Sequence, residues 1–158
     1  MSEAVKYDIR LATIEDVEFL SERLKPMDLV EIDATTGRSP YQVLKSGLEG
    51  SDNCMVGTAD GVPICIYGVR KPSHLSDSGV IWMLGTDDVE KHFMKFGREC
   101  KNEVKRMVSN LRMVENYCHA DNKKTIVWLK WLGFKFEDPA PYGRKGEMFR
   151  RFYLGEDN

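Results

Sequence analysis

Three side chains able to give or take a proton, Glu115, Tyr117 and His119, fall within one short stretch, N-L-R-M-V-E-N-Y-C-H. A fourth, Tyr142, lies in the Gly/Pro-rich segment D-P-A-P-Y-G-R-K-G. Glu, Tyr and His are the residue types of general acid–base chemistry, which needs a group within hydrogen-bond reach of the proton it moves. His74 and Asp77, in K-P-S-H-L-S-D-S-G, are further candidates. Each of these is also an ordinary structural hydrogen-bonding residue, and one residue type by itself assigns no role. Metal chemistry has less to stand on. His74, His92 and His119 are isolated, and Cys54, Cys65, Cys100 and Cys118 are widely spaced with no C-x-x-C pair, so no metal is expected. Each cysteine sits in an apolar-periodic segment, which predicts buried free thiols and a reducing compartment such as the cytoplasm.

A second chemical feature is the acidic run T-D-D-V-E, with Asp87, Asp88 and Glu90 at the start of a long amphipathic stretch. A helix start offers unpaired N–H groups and the positive end of the dipole, the usual seat of a phosphate. Carboxylates there suit a helix with no ligand and repel a multiply charged anion.

The elements that must position these residues are legible from period and punctuation. Residues 5–11 alternate as a short strand. Thr13 caps a helix, with Asp16 in capping-box position, and Ile14, Val17, Leu20 and Leu24 give its apolar stripe. Pro26 is read as its stop. Ser39-Pro40 starts a second helix that ends near Gly50. Residues 53–58 and 62–70 form a hairpin about Asp60-Gly61, the strong hairpin dipeptide. Val80–Leu84 is a continuous apolar strand, of the kind buried on both faces.

Residues 88–108 are the clearest helix. Val89, Phe93, Phe96, Cys100, Val104 and Met107 recur at spacings of three and four, and predict the buried face. Lys91, Lys95, Arg98, Lys101 and Lys105 mark a basic face. The interleaved Glu90, Glu99 and Glu103, and the lack of an aromatic stacking platform, make it a solvated face rather than a nucleic-acid site. Residues 111–119 read as a strand. Asp121 or Asn122 caps a last helix running to Leu132, with Gly133 as its left-handed terminator. Phe134–Phe136 and the tail G-E-M-F-R-R-F-Y-L-G read as paired strands. In all, six or seven strands interleave with helices in a mixed α/β layer fold, one domain over residues 1–158.

Composition sets the outer bounds. The chain has 158 residues, 42% hydrophobic and 30% charged, with a net charge of −2. This is an ordinary globular balance, with nothing pointing to nucleic acid or a membrane as partner. No apolar run is long enough to span a bilayer, and the opening M-S-E-A-V-K-Y-D-I-R lacks the apolar region of a signal peptide.

This order of elements resembles the GCN5-related N-acetyltransferase (GNAT) superfamily. The opening I-R-L-A-T-I-E-D-V-E-F-L is similar to that family's Arg-x-Ala-Thr start. The stretch from S-G-V-I-W-M-L-G-T-D-D to W-L-K-W-L-G-F-K-F resembles its cofactor-binding half. The resemblance implies that the central strand and its neighbour splay apart to admit the pantetheine arm of acetyl-CoA. Met83, Leu84 and Gly85 would then align the cofactor, with Asn116 and Asn122 bordering it. It also implies an amine acceptor, small-molecule or protein, a base such as Glu115, and a residue that protonates the leaving thiolate. Leu129 stands where many relatives carry the tyrosine for that last step, so Tyr117, His119 and Tyr142 are the substitutes. The glycine-rich pyrophosphate loop is replaced by T-D-D-V-E-K-H-F-M-K-F-G-R, so acetyl-CoA is expected to bind weakly or not at all.

A narrower resemblance is to short GNAT-like proteins of T7-like tailed phages. It rests on W-x-L-G-T-D-D, N-L-R-M-V-E-N, A-D-N-K-K-T-I-V-W-L-K-W-L-G-F-K-F and the close G-E-M-F-R-R-F-Y. It implies an accessory or internal virion protein, in the host cytoplasm or the particle, with phage structural proteins as partners and catalysis lost or altered.

Overall fold

Thr13 and Ser39 each close a capping box in the computed structural model, which describes residues 4–155. The outermost residues of the expected 1–158 domain, and the first three letters of the N-terminal reading, lie outside that range. The Asp16 carboxylate accepts from Thr13 N at 2.8 Å, and Thr13 Oγ1 accepts from Asp16 N at 3.4 Å. This starts α1 (Ile14–Ser21). Arg10, on β1 (Tyr7–Leu11), donates to both oxygens of Asp16 at 2.7 and 2.8 Å and ties the strand to the helix. Ser39 and Gln42 make the second box, followed by Pro40 at the first position.

Between these two helices the structure corrects the sequence reading. Pro26 does not only follow a helix; it opens one, α2 (Pro26–Thr35), before α3 (Pro40–Gly50). Proline suits the first helical position because the N–H it lacks would have had no partner there.

The remaining elements are β2 (Ser51–Ala59), β3 (Val62–Arg70), β4 (Ser78–Gly85), α4 (Asp88–Val108), β5 (Met113–His119), α5 (Lys123–Trp131), β6 (Lys135–Phe136), β7 (Ala140–Tyr142) and β8 (Glu147–Gly155). Asp60 and Gly61 turn the β2–β3 hairpin at φ 48° and 80°, the left-handed pair that a two-residue hairpin turn requires. The sheet has eight strands in the order β1-β2-β3-β4-β5-β8-β6, with β7 also paired to β8. The additional strand is β7, inside the segment that reads as loop. β4, which contains the apolar run Val80–Leu84, is central.

Two cores flank the sheet. Val17, Leu20 and Leu44 from α1 and α3 pack on Val56 and Ile66. On the other face, Val104 and Ile126 from α4 and α5 pack on Val114 and Phe152, and Val89 and Phe96 cover Cys65 and Tyr67. In α4, Val89, Phe96 and Val104 are buried, while Phe93, Cys100 and Met107 are half-buried. The helix kinks at Phe96, whose φ and ψ are −112° and 18°. The Phe96 ring stacks on Tyr7 with centroids 5.2 Å apart. Phe96→Ala is expected to cost about 3–5 kcal/mol, the usual range for deleting a buried Phe, measured by urea unfolding. A loss below about 1 kcal/mol would contradict this packing.

The feature that positions the site is the β4–β5 pair. The two strands run parallel and pair only at Ser78–Met113, Gly79–Val114 and Val80–Glu115. Beyond them, β4 stays with β3 as far as Gly85 and β5 stays with β8 as far as His119. The sheet therefore opens into a wedge. Among the described residues, no helix is long and apolar enough to cross a membrane.

Candidate functional site

A cavity of about 440 Å³ passes through this wedge, a size typical of sites that enclose a small molecule. Asn116 stands at its narrow end, one residue past the last paired position. Its Nδ2 donates to the Ile81 carbonyl at 2.7 Å and its Oδ1 accepts from Tyr117 N at 2.7 Å. A side-chain amide thus spans the two strands where the backbone ladder has stopped.

Helix α2 closes the wide end. Asp28 Oδ2 accepts from Gly85 N at 2.8 Å, at the tip of β4, and from Lys25 Nζ at 2.7 Å. One helical turn on, Glu31 Oε1 accepts from His119 N at 3.1 Å, at the tip of β5, and from Asn122 Nδ2 at 2.8 Å. Two carboxylates on one helix face therefore hold the two arms of the wedge. Burial pushes both carboxyls above their ordinary values. Lys25 and the Gly85 N–H oppose that for Asp28, and the two N–H donors oppose it for Glu31. Lys25, Asp28 and Glu31 all line the cavity. The tip of the β7–β8 hairpin fastens the outer side of α2. Arg144 donates to the Asp33 carbonyl at 2.8 Å and to its carboxylate at 2.7 Å, and Lys145 pairs with the same carboxylate.

The residues singled out from sequence are distributed as follows. Tyr117 lines the cavity and stacks on Tyr142, with ring centroids 3.9 Å apart and planes 10° apart. Tyr142 is held up in pKa by burial, then by Tyr117 and Glu115. Glu115 takes two donors from Arg151, the Nε contact at 3.0 Å, and is not in the cavity lining. His119 is buried; its Nδ1 accepts from Asp121 N at 3.1 Å, so Nε2 carries the proton toward Glu147, 3.0 Å away. His74 and Asp77 lie on the opposite flank, beside Asp52 and Arg112 respectively. Of the cofactor candidates, Met83, Asn116 and Asn122 line the cavity. Leu84 packs toward α1 and α3, and Gly85 offers its N–H to Asp28.

The residues that sequence reasoning passed over are Lys25, Asp28 and Glu31. Their one signal is the pattern P-M-D-L-V-E-I, where Asp28, Glu31 and the buried Ile32 share a helix face. Carboxylates on an apolar face are the informative exception to burial rules. All four cysteines are free; burial pushes Cys54 and Cys65 up to about 11 and Cys100 and Cys118 up to about 12. Among the described residues, no three His, Cys, Asp or Glu side chains gather in a way that would hold a metal ion.

The acidic start of α4 is held by ion pairs rather than by a carboxylate cap. Asp87 is the N-cap but makes no side-chain cap. Asp88 pairs with Lys91 at 3.2 Å, and Glu90 with Lys124 of α5 at 3.3 Å. The carboxylates there leave the helix-end N–H groups alone, and Asp88 and Glu90 are each matched by a lysine.

The chain has the GNAT acyltransferase fold. Ard1 from Thermoplasma volcanium matches 96% of it over 99% of its own length, with a TM-score of 0.68 and 15% identity. Spermidine N-acetyltransferase from Vibrio cholerae, solved with CoA and spermine, matches 94% of it over 94% of its own length, with a TM-score of 0.65 and 16% identity. The ribosomal-protein-S18-alanine N-acetyltransferase from Escherichia coli matches 97% over 97%, with a TM-score of 0.65 and 12% identity. At these identities the likeness is one of fold. No protein-family profile and no curated protein matches the sequence.

Proposed function

We propose that this chain transfers an acyl group from a CoA thioester to an amine, with Glu31 as the base and Tyr117 as the acid. The observation that carries this reading is the cavity through the β4–β5 wedge, with the half-buried Glu31 carboxylate at its wide end. The neighbours of known structure act on amines, spermidine and a ribosomal protein among them.

The residues present fit a pantetheine arm. Asn116 bridges the Ile81 carbonyl and the Tyr117 N–H, so an amide of the arm would have to take over the place of its side-chain amide between the strands. Met83, Asn116 and Asn122 would hold the arm. Lys91 and Lys124 pair with Asp88 and Glu90 at the start of α4, where phosphates are met by helix-end N–H groups. CoA would supply the thioester, whose carbonyl carbon gains a bond to the amine nitrogen as its bond to sulfur breaks.

The chain's own part is proton handling and exclusion of water. Glu31, raised by burial, is suited to take the proton that the amine loses. Tyr117 lines the same cavity and gives its hydroxyl proton to the departing sulfur. Its stacking on Tyr142 fixes the ring plane. Glu115 is engaged by Arg151, so in this reading it anchors β8 rather than serving as the base. Asp28 and Lys25 hold α2 over the site.

Calorimetric titration with acetyl-CoA tests the reading. Asp87 and Asp88 sit where the pyrophosphate would come, so wild-type affinity is expected to be weak. Changing Asp87 to Asn and Asp88 to Gly is expected to tighten binding about tenfold, since each nearby exposed charge is worth on the order of 1 kcal/mol. Absence of binding by both proteins would overturn the reading. It would favour a second one, a non-catalytic GNAT-fold protein of phage particle assembly. That reading rests on the sequence resemblance and on the acidic α4 start in place of a glycine-rich loop.

A further inference from the structure

The cavity is not confined to the wedge. From Asn116 on β5 and Ile81 on β4 its lining continues to Tyr67 and Cys65 on β3, Gly57 on β2 and Ile9 on β1. It therefore crosses five adjacent strands beneath α4. Neighbouring strands lie about 4.8 Å apart, so four spacings give a path of roughly 19 Å. A smaller cavity of about 140 Å³ shares Ile9, Gly57 and Phe96 with it and extends it at the β1 end.

The walls of this arm are apolar or satisfied. Phe96, Cys100, Val104 and Met107 of α4 form its roof. Tyr67 donates its hydroxyl to Glu103, whose other contacts are Arg106 Nε and Nη2, both at 3.0 Å. No group there asks a ligand for a hydrogen bond. The two thiols in the wall, Cys65 and Cys100, are kept protonated by burial and behave as small apolar groups. The absence of a side chain at Gly57 matters as well: a Cβ there would stand 2.9 Å from Cys65 Sγ, crowding the arm where it passes β2.

A two-carbon acetyl group reaches no further than the wedge itself. We propose that the preferred acyl donor carries an unbranched aliphatic chain of medium length, which runs from the wedge beneath α4 toward β1. This deepens the acyl-transfer reading and rests on it. The polar mouth at Glu31 takes the amine, and the apolar arm measures the acyl group.

The test is calorimetric titration of the wild-type chain with acetyl-CoA and with octanoyl-CoA. Each methylene buried from water is worth about a fourfold gain in affinity. Octanoyl-CoA is therefore expected to bind at least about tenfold more tightly, even with only part of its chain enclosed. Cys100→Phe places a ring in the arm and is expected to abolish the octanoyl advantage while leaving acetyl-CoA affinity unchanged, with folding checked by thermal unfolding. Equal affinity of the two thioesters for the wild type would overturn the inference and leave the acyl-transfer reading standing. An octanoyl advantage that survives in a folded Cys100→Phe variant would overturn the route beneath α4. Binding of neither thioester, by the wild type or by the variant with Asp87→Asn and Asp88→Gly, would overturn both.

Discussion

Glu31→Gln is expected to lower kcat/KM for amine acylation by about 10²–10⁴-fold, the usual contribution of a positioned base. The substitution keeps the shape and an oxygen to accept from His119 N and Asn122 Nδ2, but removes the proton acceptor. Its effect on stability has the opposite character, and the sign follows from burial. The Glu31 carboxyl sits above its ordinary value of 4.5 because burial disfavours the charged form. Its contribution to stability is fully present below that ordinary value and is lost as pH rises through the raised one. Gln removes this dependence, so the variant is expected to be no less stable than the wild type near neutral pH. Steady-state kinetics and urea unfolding on the same preparations separate the two effects. A variant with wild-type kcat/KM would remove Glu31 from the chemistry.

Asp28→Leu is expected to destabilise the fold by about 3–5 kcal/mol, the range for breaking one side of a buried ion pair. Lys25 and Asp28 have side-chain exposures of only 10% and 5%. Without Asp28 the buried Lys25 ammonium loses its hydrogen-bonded counter-charge and keeps only the more distant attraction of Glu31, and the Gly85 N–H at the tip of β4 loses its acceptor. Adding Lys25→Met to the variant is expected to restore most of the loss, because an apolar pair of similar size often replaces a buried ion pair without cost. The cycle is read from denaturant midpoints at constant m. A single variant within about 1 kcal/mol of wild type would mean that α2 does not close over β4 in solution.

How much of this was legible in sequence depended on how local the cause was. The Thr13–Asp16 and Ser39–Gln42 boxes span three residues each, and the Asp60-Gly61 turn two, so the letters alone place them. The α4 stripe is periodic over six turns and announces itself in the same way. Helix α2 was not legible, because proline both ends and begins helices and nothing else near Pro26 decides between the two. With the helix went its carboxylates. The partners that make Asp28 and Glu31 meaningful, Gly85, His119 and Asn122, are 57, 88 and 91 residues away. Glu115 and His119 stood out by residue type, yet the structure gives each a close partner, Arg151 and Glu147. The GNAT resemblance implied the wedge. The pairing that ends at Val80 and Glu115 shows it.

The fastening of α2 by Asp33, Arg144 and Lys145 has a kinetic side. The helix belongs to the first quarter of the chain, and the hairpin tip that holds it is separated from Asp33 by 111 and 112 residues. Contacts of such long loop closure are among the last to be rewarded during folding. The clasp between α2 and the hairpin tip is therefore expected to close late in folding. During synthesis the clasp on α2 cannot close until residues 144 and 145 have left the ribosome, so the mouth of the cavity is completed by the β7–β8 hairpin rather than by the fold's core.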